Sequence, residues 1–516
     1  MGVATHRHGL ITAENSRWWT LGAMCFALFM LMLDNTVVNV ALPSIERDLH
    51  ASLSSLEWTV NAYTLSLAVG LVTAGRLGDI FGRRRLFVTG VIIFGVSSLI
   101  IGLSPDIGVM IGFRAVQGIG GACMMPASLA IVTQAFPPHE RGTAIGTWAG
   151  VSALALAIGP VVGGFLTEDV SWRAIFFINP PIAVIAVAGA LYAAHESRDE
   201  TVSRTVDYAG VALLTVGLLA LVLALIEGNS WHWGSTRTVA LFAVALAALT
   251  AFVIVEQRVR APMIDFSFFR NRTSAGANLV GLIVSFAMFA QIFFMTFYMQ
   301  NVMGLSPLAT GVRFLPSTLL LVVFGPIAGR LTDRIGPRPL MVVGILLSAV
   351  ATYIQSHITV HSGYLLLLPG FLLMGCGLGL VMSPMSTAAM NAVDRTKAGA
   401  AGGVLSTSRM VGSTFGVAVM GAIVTTIGRS KLDQSLPRLP AATRSRIASA
   451  LGSGGIPGGH ASRTVVSAVE HAFVSALSTG LVICSLVSLV GALTAWVLIE
   501  AKAAAPTPRA DEAVAT

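Results

Sequence analysis

Gly75-Arg76-Leu77-Gly78-Asp79-Ile80-Phe81-Gly82-Arg83-Arg84-Arg85 returns later in the chain as Gly329-Arg330-Leu331-Thr332-Asp333-Arg334-Ile335-Gly336-Pro337-Arg338. Both stretches read Gly-Arg-Leu-x-Asp-x-x-Gly-x-Arg, and both follow a long apolar run. Such an echo predicts two parallel halves of six helices, an architecture in which substrate binds midway between the halves. Two further apolar runs, near 207–257, are then an insertion between them.

Working outward, fourteen apolar runs fill residues 18–499. Each is long enough to cross a ~30 Å hydrocarbon core as a helix. The chain of 516 residues is 55% hydrophobic and 11% charged, with mean hydropathy +0.80, far from the roughly 25% charged of soluble domains. Alternating strand patterns are missing, which makes a membrane barrel a poor fit. The reading is an all-α polytopic membrane protein. Its parts are an N-tail (1–17), a first six-helix bundle (18–195), two inserted helices (196–260), a second bundle (261–500, with a loop over 428–469) and a disordered C-tail (501–516). That loop contains Gly452-Ser453-Gly454-Gly455-Ile456-Pro457-Gly458-Gly459, with room for a short amphipathic helix near 441–451.

The net charge of +8 does not point to nucleic acid, because the basic residues sit in short loops and form no patch. They favour the side of the N-terminus, as in Arg83-Arg84-Arg85 and Arg330 to Arg338, whereas the short loops opposite hold Arg47, Arg173 and Arg237. This bias predicts a multi-pass protein with both termini cytoplasmic. Cys25, Cys123, Cys376 and Cys484 lack disulfide or metal-ligand spacing and are read as packing residues. No phosphate-binding Gly-x-x-x-x-Gly-Lys-Ser/Thr loop is present. Energy must therefore come from an ion gradient, and neither cofactor, metal nor catalytic constellation is expected.

One apolar run carries a carboxylate, in Leu33-Asp34-Asn35-Thr36-Val37-Val38-Asn39-Val40-Ala41-Leu42-Pro43. Charges at such depth are expensive and mark ion or substrate pathways. Helical rise places Asp34 ~13 Å below the surface near Pro43, and Arg114 ~12 Å below the surface near Asp106. The two charges can therefore meet. Pairing and desolvation act on a carboxylate in opposite directions, as a proton carrier requires. The alternative is a static ion pair joining the first and fourth helices. Arg114 opens Arg114-Ala115-Val116-Gln117-Gly118-Ile119-Gly120-Gly121, with Gln117 one turn onward. Gly159-Pro160-Val161-Val162-Gly163-Gly164, preceded by Gly150, offers close helix contact and a kink. Trp172-Arg173-Ala174-Ile175-Phe176-Phe177-Ile178-Asn179-Pro180 reads as an interface anchor.

Together these stretches resemble the fourteen-helix drug:proton antiporter branch of the major facilitator superfamily. The resemblance covers nearly the whole chain. It implies a fold of two six-helix bundles plus two inserted helices, and a monomer in a bacterial inner membrane. Asp34 and Arg114 become the proton-coupling pair. The Gly75 loop and its echo (Gly75, Asp79, Gly82, Arg83, Arg84, Asp333) become a conformational switch, and Gly150, Gly159, Pro160, Gly163 and Gly164 an antiporter hinge.

Candidate cavity residues are Asn39, Gln117, Gln291, Tyr298 and Arg409. The Met- and Phe-rich run around Gln291 and Tyr298 suits an adaptable surface. Arg409 lies ~18 Å into its helix from Lys397, where carbonyls, cavity water, Asp34 or an anionic substrate group can meet it. The expected activity is proton-coupled export of hydrophobic or cationic drug-like compounds by alternating access, with small molecules, protons and the bilayer as partners. A dedicated exporter of one metabolite or lipid and a non-transporting membrane sensor are the alternatives.

Overall fold

The computed structural model of the protein describes residues 15–137, 140–197, 207–259, 269–393, 398–437, 440 and 463–501. The described elements are helical: α1 (Ser16–Leu49), α2 (Leu53–Phe81), α3 (Arg83–Gly102), α4 (Ile107–Ala135), α5 (Arg141–Phe165), α6 (Ala174–Phe177), α7 (Asn179–Ala193), α8 (Tyr208–Trp231), α9 (Thr236–Glu256), α10 (Arg272–Phe297), α11 (Pro307–Ile335), α12 (Pro337–Gln355), α13 (Tyr364–Asn391), α14 (Ala398–Ser435) and α15 (Arg463–Leu498). With α6 and α7 counted as one interrupted helix, the described residues form fourteen long segments. Twelve are long and apolar enough to cross a membrane, α2 and α5 being the other two. Helix α14 runs to Ser435 and α15 opens at Arg463, so both reach into the span expected as the 428–469 loop. The segment near 441–451 and both expected tails lie almost wholly outside the described residues.

The echo is structural as well as sequential. Helices α2 and α3 pack along α4, and α1 packs along α5 and α7. In the second half α11 and α12 pack along α13, and α10 along α14 and α15. The halves meet along two seams, α5 with α11 and α2 with α14. The inserted helices α8 and α9 pair with each other, and α8 leans on both α2 and α14, covering the second seam. We call the side holding the α2–α3 loop and the start of α1 the tail face, and the opposite side the far face.

The repeated glycines have a backbone reason. Gly82 (φ +108°) and Gly336 (φ +84°) each stand between two helices in a conformation that L side chains rarely adopt. Each closes the helix before it through its own N–H, Gly82 to Gly78 (3.0 Å) and Gly336 to Thr332 (2.9 Å). Arg84 and Arg338, paired by the echo, both reach the last helix of their own half. Arg84 donates to the Ala194 carbonyl at 3.1 Å, and Arg338 stacks on Trp496 at 4.2 Å.

Beside Gly82 the Glu196 carboxylate accepts from the backbone N–H groups of Arg84 (3.0 Å) and Arg85 (3.2 Å), the exposed amides at the start of α3. It also lies 3.8 Å from both guanidinium groups. Sequence reading missed Glu196 as the partner of the loop arginines. The side chains of Gly75's neighbour Arg76, of Asp79 and of Asp333 lie outside the described residues. A Cβ at Gly82 would stand 2.6 Å from Glu196 Oε1. Gly82→Ala is therefore expected to destabilise the protein by about 1–3 kcal/mol, measurable as a lowered unfolding temperature of purified protein.

Candidate functional site

Asp34 and Arg114 meet inside the first half. Arg114 Nη1 stands 2.6 Å from Asp34 Oδ2, and the two side chains are 2% and 0% exposed. The second carboxylate oxygen, Oδ1, accepts from Gln117 Nε2 (3.1 Å) and Asn179 Nδ2 (3.0 Å). Arg114 is held in turn by the Thr59 carbonyl (3.0 Å), by Gln117 Oε1 (2.7 Å) and by the face of Tyr63, 4.2 Å from its Cζ. Five helices thus contribute to one polar cluster: α1, α2, α4, α7 and, through Ser98 on Asn179 (2.8 Å), α3.

The break between α6 and α7 explains how Asn179 arrives there. Pro180 has no N–H to give to the Phe176 carbonyl one turn earlier. That carbonyl accepts from Ser98 Oγ instead, at 2.9 Å. The helix interrupts at Ile178 and restarts at Asn179, which turns the Asn179 amide toward Asp34. This role was missed from sequence, although Asn179-Pro180-Pro181 was the available signal. The same stretch corrects a second reading. Trp172 is buried and donates to Asp48 Oδ2 at 2.8 Å, while Arg173 bonds the same oxygen at 2.5 Å and stacks on the indole. The pair ties α1 to α6 at the far face, and so is a joint within the protein more than an anchor to the membrane surface.

Three of the roughly four acceptor positions of the Asp34 carboxylate are thus filled, by donors from α4 and α7.

Between the halves lies a cavity of about 60 Å³, room for a few waters. Thr36, Asn39, Gln291, Phe314, Phe371 and Met374 are among its walls, and among the described residues no charged side chain lines it. Of the cavity residues expected from sequence, Asn39 and Gln291 are here. Three others are elsewhere. Gln117 is committed to Asp34 and Arg114, and Tyr298 is buried in the apolar core with its hydroxyl on the Thr359 carbonyl (2.8 Å). Arg409 packs beside Gly281 on α10 and is absent from the cavity wall. Most of the Phe-rich run on α10 is likewise core: Phe289, Phe293, Phe294 and Phe297 are buried.

The glycine-proline motif of α5 is a two-sided contact near the far face. Gly159 presses on Thr36 and Gly163 on Val37 of α1, within the first half. Gly164 lies against Leu308 and the Pro307 carbonyl of α11, where a Cβ would come within 2.6 Å. Pro160 lends its carbonyl to the same seam, against Gly311. Glu168 adds a hydrogen bond to the Leu308 N–H (2.9 Å), and Gln300 reaches the Val40 carbonyl (2.8 Å). The halves are thus closed on each other at the far face. Toward the tail face Leu154 on α5 and Leu319 and Val323 on α11 are more than half exposed. Gly150 meets nothing within 4 Å and takes no part in the contact.

The sequence model of the Major Facilitator Superfamily matches residues 24–417. The chain belongs to the major facilitator superfamily. Among its relatives, the tetracenomycin C resistance and export protein of Streptomyces glaucescens is 35% identical over 506 residues, covering 96% of this chain and 93% of the relative. The puromycin resistance protein of Streptomyces alboniger is 37% identical over 79% of this chain and 82% of its own length. The multidrug resistance protein Stp of Mycobacterium tuberculosis is 36% identical over 81% of this chain and 78% of its own length. A solved bacterial homologue of the human lysosomal transporter Spinster, inward-facing and unoccupied, shares the fold. Its TM-score is 0.61 at 16% identity, over 93% of this chain and 98% of that one. This facilitator is accordingly a multi-pass membrane transporter whose relatives are drug and antibiotic resistance proteins.

Proposed function

We propose that this facilitator is a proton-coupled antiporter that exports hydrophobic or cationic drug-like compounds by alternating access. In this reading all fourteen helices span the cell membrane, with the tail face cytoplasmic, and a single chain is the working unit. The observation that carries it is the buried Asp34–Arg114 pair whose helix, α1, also lines the cavity between the halves through Thr36 and Asn39. The far-face contacts make this a state closed to the outside, from which substrate enters from the cytoplasm or inner leaflet. Opening the far face separates α5 from α11 and loosens α1, which carries both Asp34 and the cavity residue Asn39. Asp34 then takes up an external proton as substrate leaves. Export of a single metabolite is the second reading, favoured by relatives named for one compound each, tetracenomycin C and puromycin.

The test is proton release from acid-loaded proteoliposomes on adding candidate cationic drugs. Wild type is expected to release protons and Asp34→Asn to release none, while remaining folded in the membrane. Arg114 keeps three partners in that variant: Thr59, Gln117 and Tyr63. Equal release from both proteins would remove Asp34 from the mechanism. Silence of folded wild type across a broad panel would favour the single-compound reading.

A further inference from the structure

The far end of the α2–α14 seam holds a second carboxylate that the Asp34 cage does not use. Glu57 lies one turn into α2, ~6 Å along the helix from its start, and is 2% exposed. Its Oε1 makes no hydrogen bond in the structure. That oxygen points at Gly421 of α14, so closely that a Cβ there would overlap it. One turn onward along α2, the buried Asn61 has neither amide atom hydrogen-bonded. Beyond that, Thr64 and Thr414 bond across the seam at 2.8 Å. Glu57, Asn61 and Thr64 therefore form one polar stripe at helical spacing, facing the helix from which α2 must part if the far face opens.

The inserted pair closes the third side. Glu227 of α8 accepts from Ser54 of α2, and it is the charged group that acts on Glu57. Trp58, Val222, Ile226 and Ala418 surround the junction with apolar surface. No cation is set against Glu57 from α8, α14 or its own helix among the described residues.

We propose that Glu57 is a second proton-binding site, holding its proton while α2 is closed on α14 at the far face and releasing it when the seam parts. The reasoning is electrostatic and geometric. An ionised carboxylate with an unbonded oxygen, no cation and a second carboxylate nearby is strongly disfavoured inside protein. A neutral acid suits the site, and the unbonded Asn61 amide offers the next polar stop along the stripe. Gly421 is what allows the carboxyl group to lie flat against α14. The inference rests on the alternating-access reading for its far-face motion, but the site itself is testable without substrate.

Infrared spectroscopy of purified wild-type protein should show a protonated carboxyl band that vanishes as pH is raised. Glu57→Gln should delete that band and Asp34→Asn should leave it. In a second arm, Thr414→Cys is added to report opening of the seam. Its labelling by a thiol reagent, taken relative to the same cysteine in denatured protein at each pH so that thiolate formation cancels, should rise at least about tenfold between acid and alkaline pH, the change expected for ~1.4 kcal/mol of coupling. With Glu57→Gln in place the rise should disappear. An unchanged band, or unchanged pH dependence of labelling, in Glu57→Gln overturns the proposal. If that variant is lost from the membrane, Glu57→Asp retains an acid on a shorter stem, and the band must then titrate at a different pH. A band that does not move has the same adverse meaning. Failure of antiport shows separately, in drug-evoked proton release.

Discussion

Arg114→Ala is expected to cost the protein about 3–5 kcal/mol, the usual penalty for removing one partner of a buried ion pair. The cause is specific to the cage. Without the guanidinium, Asp34 retains two amide donors, from Gln117 and Asn179, and no counter-charge. The Thr59 carbonyl and Gln117 Oε1 lose a donor, and the Tyr63 ring loses its cation. Arg114→Lys keeps the charge but lacks the planar fork that serves several acceptors at once, and should fall between Arg114→Ala and wild type. Thermal unfolding of the purified variants reads the order. Equal losses in Arg114→Ala and Arg114→Lys would mean that packing, not charge, holds the cluster together.

Gly311→Val is the second large effect, on movement more than on folding. The Pro160 carbonyl already occupies the place of a Cβ at Gly311, so bulk there forces α5 and α11 apart at the far face. Overpacking by about 1–3 kcal/mol shifts a two-state balance about 5- to 150-fold. Transport should be lost while the protein remains folded. A cysteine placed at the buried Thr310 should become reactive to an impermeant thiol reagent added from the far side. Normal transport by Gly311→Val would show that the halves need not close there.

The large features of the fold are legible because long apolar runs and a repeated loop leave few alternatives. Asp34 and Arg114 could be paired from helical rise alone, since each lies a countable distance from the same surface. Other parts of the site depend on events that rise does not describe. Asn179 turns inward because Pro180 and Pro181 interrupt a helix, and Ser98 answers the carbonyl this leaves open. Glu57 is easily taken for a surface residue, since the apolar run begins beside it. The helix instead opens at Leu53, which brings Glu57 inside. Tyr298 and Gln117 illustrate the converse error. Both are polar and deep, but their partners lie within their own halves, away from the cavity. Helical spacing tells which face of one helix is polar, not which neighbour that face meets.

The α8–α9 pair has one more consequence, for how the two seams meet the bilayer. A molecule of two matched halves would present two equivalent flanks to the bilayer. Here α8 stands across the α2–α14 flank, whereas among the described residues no helix spans the α5–α11 flank, where Leu154, Leu319 and Val323 are exposed. The added hairpin thus makes the molecule one-sided toward the bilayer: one seam between its halves is shielded by α8, while the other leaves the apolar stretch of α11 uncovered.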